Sequence, residues 1–224
     1  METDVAGRLQ AVRAQLPEGV RLTAVSKFHP EEYIMAAYDQ GQRVFGESHE
    51  QELARKAAAL PKDIEWHFIG HLQTNKVKYI APYIAMIESV DSIRLLREIE
   101  RQAARHDRVI RVLLELHIAE EATKYGLSPD DCHALLADGE WRTMGHVEIC
   151  GLMMMASNTD DQEQIAREFD MGSRLFAQYQ AEFFADRPSF CERSWGMSHD
   201  YPIAVAHGST MVRVGTAIFG PRVY

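Results

Sequence analysis

The chain has 224 residues, 46% of them hydrophobic, which is enough to build one large domain or two small ones. A formal charge of −9 argues against nucleic acid or an anionic membrane as a general partner, and no apolar run is long enough to cross a bilayer. The three cysteines, Cys132, Cys150 and Cys191, are widely spaced and odd in number, so reduced thiols are expected and neither a disulfide framework nor a zinc site.

The start, Met1-Glu2-Thr3-Asp4, is acidic and lacks the basic and apolar regions of a signal peptide, so a cytoplasmic protein is expected. A polar helix is read over 4–15. The run Leu22-Thr23-Ala24-Val25-Ser26-Lys27 reads as a buried strand over 22–27, and Pro30 opens a helix over 31–40. Further strands are read at 43–47, 65–70, 86–90, 109–118, 148–155, 189–196 and 211–219. Helical patterns lie between them at 51–60, 74–81, 92–106, 129–138, 162–185 and 201–207. Apolar strands separated by helices predict a parallel sheet buried on both faces. The count and the length fit closure into a single-domain (β/α)8 barrel of the TIM type with an extra N-terminal helix. A doubly wound open sheet is the runner-up. No linker, repeat or low-complexity tract divides the chain, so residues 1–224 read as one domain.

Lys27 ends the first strand as read. A lysine at the tip of a core strand is costly unless it meets an anion or loses its charge. A desolvated lysine has a lowered pKa, becomes nucleophilic and can form an imine with an aldehyde. The plainer alternative is a lysine that snorkels to water.

Two runs near the other end complement it: Ser194-Trp195-Gly196-Met197-Ser198-His199-Asp200 and Thr210-Met211-Val212-Arg213-Val214-Gly215-Thr216-Ala217-Ile218-Phe219-Gly220. Gly215 and Thr216 offer backbone N–H groups that a phosphate can approach, because Gly215 has no side chain in the way. Ser198 is read as a helix N-cap, a favourable place for an anion. No P-loop or GxGxxG is present. In a closed barrel the site lies at the C-terminal ends of the strands, and phosphates use the loops after strands seven and eight. Strand one closes against strand eight, so Lys27 is expected beside Ser198, Gly215 and Thr216. An amine next to a phosphate site suits a phosphorylated aldehyde.

The blocks Ala24-Val25-Ser26-Lys27, Phe45-Gly46-Glu47, Trp66-His67-Phe68-Ile69-Gly70-His71-Leu72-Gln73-Thr74-Asn75-Lys76, Ser89-Val90-Asp91, Gly151-Leu152-Met153 and Gly196-Met197-Ser198, with the run from Met211 to Gly220, span almost the whole chain. Through them the sequence resembles the pyridoxal phosphate homeostasis proteins, which look like the barrel domain of alanine racemase, of fold type III, standing alone. The resemblance implies pyridoxal 5'-phosphate (PLP) held on Lys27 as a Schiff base, with Ser198, Gly215 and Thr216 on the phosphate and Met197 among the contacts. Arg213 looks like the residue facing the pyridine nitrogen. An arginine does not readily give up its proton, so the ring nitrogen would stay an acceptor and the ring a weaker electron sink. The alternative for Arg213 is a phosphate or carboxylate clamp. Ser48-His49 stands where the family often has Asn-Tyr, and Ser48 is kept as a candidate contact. Trp195 replaces a commoner methionine.

The role implied is intracellular PLP homeostasis by a monomer that buffers PLP or delivers it to apo-enzymes. The alternative is a PLP-dependent amino-acid racemase or lyase using Lys27 as base. A racemase needs a second acid/base opposite the lysine. In the racemases a tyrosine from a second domain of a partner subunit supplies it, a domain this chain is expected to lack. No acid opposite Lys27 is identified in the sequence.

His67 and His71 are four apart, but the pattern there is strand passing into loop, so His67 is read as a barrel residue near the cofactor and not as a metal ligand. Gln73-Thr74-Asn75-Lys76 is read at the rim of the site, Met153-Met154-Met155 as core packing, and Glu120-Glu121 and Asp160-Asp161 as solvated caps and loops.

Overall fold

The computed structural model describes residues 4–119 and 125–221, so Glu120-Glu121 lies outside the described residues. Eight parallel strands close into a barrel in chain order: β1 (Arg21–Val25), β2 (Val44–Glu47), β3 (Glu65–Phe68), β4 (Met86–Val90), β5 (Ile110–Leu116), β6 (Val147–Met154), β7 (Glu192–Ser194) and β8 (Met211–Val214). The ring is completed where β1 pairs with β8, from Arg21↔Met211 to Ala24↔Val214. That pairing sets aside the open sheet.

Helices fill the connections: α1 (Val5–Arg13), α2 (Glu31–Asp39), α3 (Glu50–Ala59), α4 (Val77–Ile80), α5 (Ile93–Arg105), α6 (Pro129–Asp138), α7 (Gln162–Phe183), α8 (Tyr201–Ala206) and α9 (Thr216–Phe219). Local chemistry sets their ends. The Ser128 hydroxyl caps α6 by accepting from the Asp131 N–H at 3.0 Å, Pro129 occupies the first turn, and Gly139 closes the helix at φ 78°. Along α5, Leu95, Leu96, Ile99, Gln102 and Ala103 are buried, the three- and four-residue spacing of one helical face.

Three of the boundaries that differ from the sequence reading lie near the barrel mouth and bear on the site. β1 ends at Val25, so Lys27 sits in a turn and not on the strand. β7 is only three residues long, and α8 begins at Tyr201 with Asp200 at its N-cap. Ser198 is therefore not an N-cap but part of the turn before the helix. β8 stops at Val214, and the apolar run after it coils into α9, where Ile218 and Phe219 are buried in the core.

The barrel interior is layered. Met86 on β4, Leu113 on β5, Cys150 and Met153 on β6 and Met211 on β8 form one small buried cluster. Side chains two apart on a strand share a face. Two residues beyond Met86, Leu113 and Met211 come Glu88, Glu115 and Arg213, all buried. An apolar plug thus gives way to a charged layer below the mouth. Gly151 lets β6 and β7 approach, since a Cβ there would lie 1.9 Å from the Glu192 carbonyl oxygen.

Candidate functional site

Two adjoining cavities open at the C-terminal end of the barrel. The smaller, about 240 Å³, is lined by Lys27 after β1, Met197 and Ser198 after β7, Arg213 on β8, and Gly215 and Thr216 at the start of α9. These are six of the eight residues singled out in the sequence, remote along the chain and gathered by barrel closure. The Gly215 N–H donates to the Ser198 Oγ at 3.2 Å, so the two loops are tied together. Gly215 is also needed for packing: a Cβ there would meet the Val25 carbonyl oxygen at 3.0 Å. The larger cavity, about 480 Å³, shares Lys27, Ile69 and Met155 with the first and adds Ser48, His71, Gln73 and Glu115. Ser48 Oγ accepts from the Lys27 Nζ at 3.2 Å. His67, the eighth residue, lines neither cavity and is fully buried beneath them.

The Lys27 turn is held from below by charge. Lys56 on α3 is fully buried and its Nζ donates to the Ser26 carbonyl at 2.9 Å, to Glu47 Oε1 at 2.8 Å and to Glu52 Oε1 at 2.7 Å. Ser26 Oγ donates to the same Glu47 oxygen at 2.6 Å. On the far side of Lys27, the Phe28 N–H donates to Glu52 Oε1 at 2.8 Å. Phe28 has φ +64°, a left-handed backbone that costs a bulky residue of order 1–3 kcal/mol. Burial pushes the Glu47 carboxyl up, while Lys56 and Ser26 pull it down, and the net direction is up.

A second polar chain crosses the charged layer. Arg213 donates to the Ser194 carbonyl and hydroxyl at 2.5 and 2.6 Å and to the Met154 carbonyl at 2.9 Å. Ser194 Oγ donates to Glu88 Oε2 at 2.5 Å, and the other Glu88 oxygen pairs with His67 Nδ1 at 2.6 Å. Burial opposes the Glu88 charge, but His67, Arg213 and Ser194 outweigh it and hold the carboxyl below its usual value. An ionised Glu88 makes His67 Nδ1 the donor.

Sequence reasoning missed Glu115. It stands on β5, half-way round an eight-strand ring from β1, and it lines the cavity that Lys27 lines. Burial pushes its carboxyl up to about 7; Arg213 draws it down and Asp91 adds to the rise. An acid on the strand across the barrel from β1 is therefore present in the cavity that Lys27 lines. The available signal was a lone charge in the apolar run Val112-Leu113-Leu114-Glu115-Leu116. His199 and Met155, also lining the smaller cavity, carried no such signal.

A family model described as alanine racemase, N-terminal domain, matches residues 3–223. The pyridoxal phosphate homeostasis protein of Aquifex aeolicus is 37% identical over 206 residues, 91% of this chain and 88% of the relative. The chain belongs to the pyridoxal phosphate homeostasis protein family. Within this family the Escherichia coli K12 protein is 32% identical over 238 residues, covering 99% of this chain and 98% of its own. Among solved structures, PipY of Synechococcus elongatus without PLP superposes with a TM-score of 0.91 at 36% identity, covering 97% of this chain and all of that one. PipY with PLP bound gives 0.87 over the same shares. Alanine racemase from Streptomyces coelicolor, 20% identical with a TM-score of 0.77, covers 96% of this chain and 57% of its own length, and shares the fold with this homeostasis-family barrel.

Proposed function

We propose that this protein binds PLP covalently on Lys27 and serves intracellular PLP homeostasis as a monomeric carrier. The observation that carries the reading is the convergence of Lys27, Ser198, Gly215 and Thr216 on one cavity of about 240 Å³. The residues fit such a group. Lys27 brings an amine for an aldehyde. Gly215 has no side chain to block approach to the loop, and Thr216 and Ser198 bring hydroxyls for a phosphate. Arg213, fixed on Ser194 and Met154, brings an unchanging positive charge to the wall. Bound PLP supplies an aldehyde carbon and a ring able to store electrons. The Ser48 hydroxyl orients the Lys27 amine, and the Lys56 network fixes the turn that carries it. PipY, solved with PLP bound, is the relative that supports this reading.

The covalent link is tested by borohydride. A yellow protein is expected, with the reduced label on the peptide containing Lys27. Label on Lys56, Lys62, Lys76, Lys78 or Lys124 instead would overturn the assignment.

For the phosphate, Ser198→Ala and Thr216→Val are each expected to raise the PLP dissociation constant about ten- to a hundredfold, the effect of one hydrogen bond to a charged group. Equilibrium dialysis of the two variants and their combination measures this. Retention unchanged in the double variant places the phosphate elsewhere.

One observation favours a second reading, an amino-acid racemase or lyase: Glu115 in the cavity that Lys27 lines. Against it, Arg213 on the cavity wall would hold the ring nitrogen as an acceptor and leave the ring a poor electron sink. Deuterium incorporation at Cα across a panel of amino acids, run beside transfer of PLP to an apo-enzyme, separates the two. Transfer with negligible exchange is expected. Fast exchange with racemic product and no transfer would establish the enzyme.

A further inference from the structure

We propose that the larger cavity beside Lys27 is a ligand site for a small primary amine whose ammonium group is held by Glu115. The site adjoins the proposed PLP cavity and does not require PLP to be bound.

The case starts from hydrogen-bond supply. Of the acids in and around the charged layer, Glu88 accepts from Ser194 and pairs with His67, and Glu47 accepts from Lys56 and Ser26. Glu115 is 3% exposed, and its Oε2 is buried with no hydrogen-bond partner among the described residues. Glu47 Oε2 is likewise buried without a hydrogen-bond partner, but the Glu47 charge faces Lys56 at 2.8 Å, whereas no salt bridge reaches Glu115 among the described residues. An unpartnered buried carboxylate oxygen is costly, and the cost falls when a cationic donor arrives. The cavity of about 480 Å³ in front of it is large enough to admit one. An ammonium group offers three donors to a carboxylate. A metal ion has no such support, since no three His, Cys, Asp or Glu side chains gather to hold one among the described residues. At the rim, His71 stacks on Tyr125 with ring centroids 4.0 Å apart, giving an apolar face for the hydrocarbon part of an amine. The charged layer also tunes the seat: Arg213 on β8 and Asp91 after β4 act on Glu115, while Lys27, Lys76, Glu50 and the imidazoles of His49 and His71 line the same cavity.

Saturation-transfer NMR of ethylammonium over the purified protein tests the site at constant ionic strength, with potassium and acetate as controls. Saturable ethylammonium binding is expected, strengthening as the pH rises through about 7, where Glu115 gives up its proton. Glu115→Gln should weaken it about ten- to a hundredfold and remove that pH dependence. Binding that persists in Lys27→Ala, where no PLP can be trapped, keeps this result separate from the cofactor assignment. Equal binding by the Glu115→Gln variant, a pH dependence that survives in it, or saturable acetate binding in place of ethylammonium would overturn the proposal.

Discussion

Lys56→Met is expected to lower the unfolding free energy by about 3–5 kcal/mol, the loss seen when one partner is removed from a buried ion pair. Lys56 and Glu47 are both fully buried, and the methionine leaves Glu47 and Glu52 facing each other with no cation between them. Denaturant midpoints at neutral pH measure the loss. The double variant Glu47→Gln/Lys56→Met should recover part of it, because no uncompensated charge then remains. The same network holds Ser26 and Phe28 on either side of Lys27, so the single variant should also trap less PLP at Lys27 under borohydride. A Lys56→Met protein within about 0.5 kcal/mol of the parent, the margin typical of surface changes, would show that the network carries no stability.

Glu115→Gln is expected to act in the opposite direction, stabilising the protein above neutral pH. The folded-state pKa is raised to about 7, against an ordinary value near 4.3 for an unfolded glutamate. Between those values the native state holds a proton that the unfolded chain has lost. This group's contribution therefore falls as pH rises through that window and stays low above it. Removing the carboxylate should raise stability at pH 8 by roughly 2–3 kcal/mol relative to the parent, and by little at pH 4. The comparison is of variant with parent at each pH, so that other carboxylates cancel. A difference that does not vary with pH would mean that Glu115 titrates normally.

Much of the barrel was legible. A strand buried on both faces shows as a short apolar run, and eight such runs alternating with helical patterns leave few architectures open. Closure then brought Lys27 beside Gly215 as expected, because β1 pairs with β8. The strand ends were less legible. Thr216-Ala217-Ile218-Phe219 is apolar and short, and nothing in its spacing separates a last strand turn from a single helical turn. Ser198 looked like a cap because it follows an apolar run, yet His199 and Asp200 still stand between it and α8. His67 shows the other limit. Its place on β3 was readable, but its depth below the cavities depends on how far up the barrel the apolar plug reaches. Glu115 was hidden for a related reason: whether a lone acid on β5 points inward is decided by the phase of the strand, which Leu113 reveals only once the barrel is closed.

The left-handed backbone at Phe28 has a consequence for binding. A free lysine side chain carries up to about 2 kcal/mol of rotamer entropy, and each loose residue of a turn costs a further 1–2 kcal/mol of backbone entropy to order. Here the turn is already fixed by Ser26, Glu52 and Lys56, and the Lys27 amine already rests on Ser48. The ordering cost is met when the chain folds and not when a ligand arrives. The proposed capture at Lys27 would then draw little on the affinity for the ligand, and release would restore little disorder to drive it. Exchange from such a pre-set amine is governed by the chemistry of the bond and by access through the barrel mouth, with no refolding of the site on either side of the event.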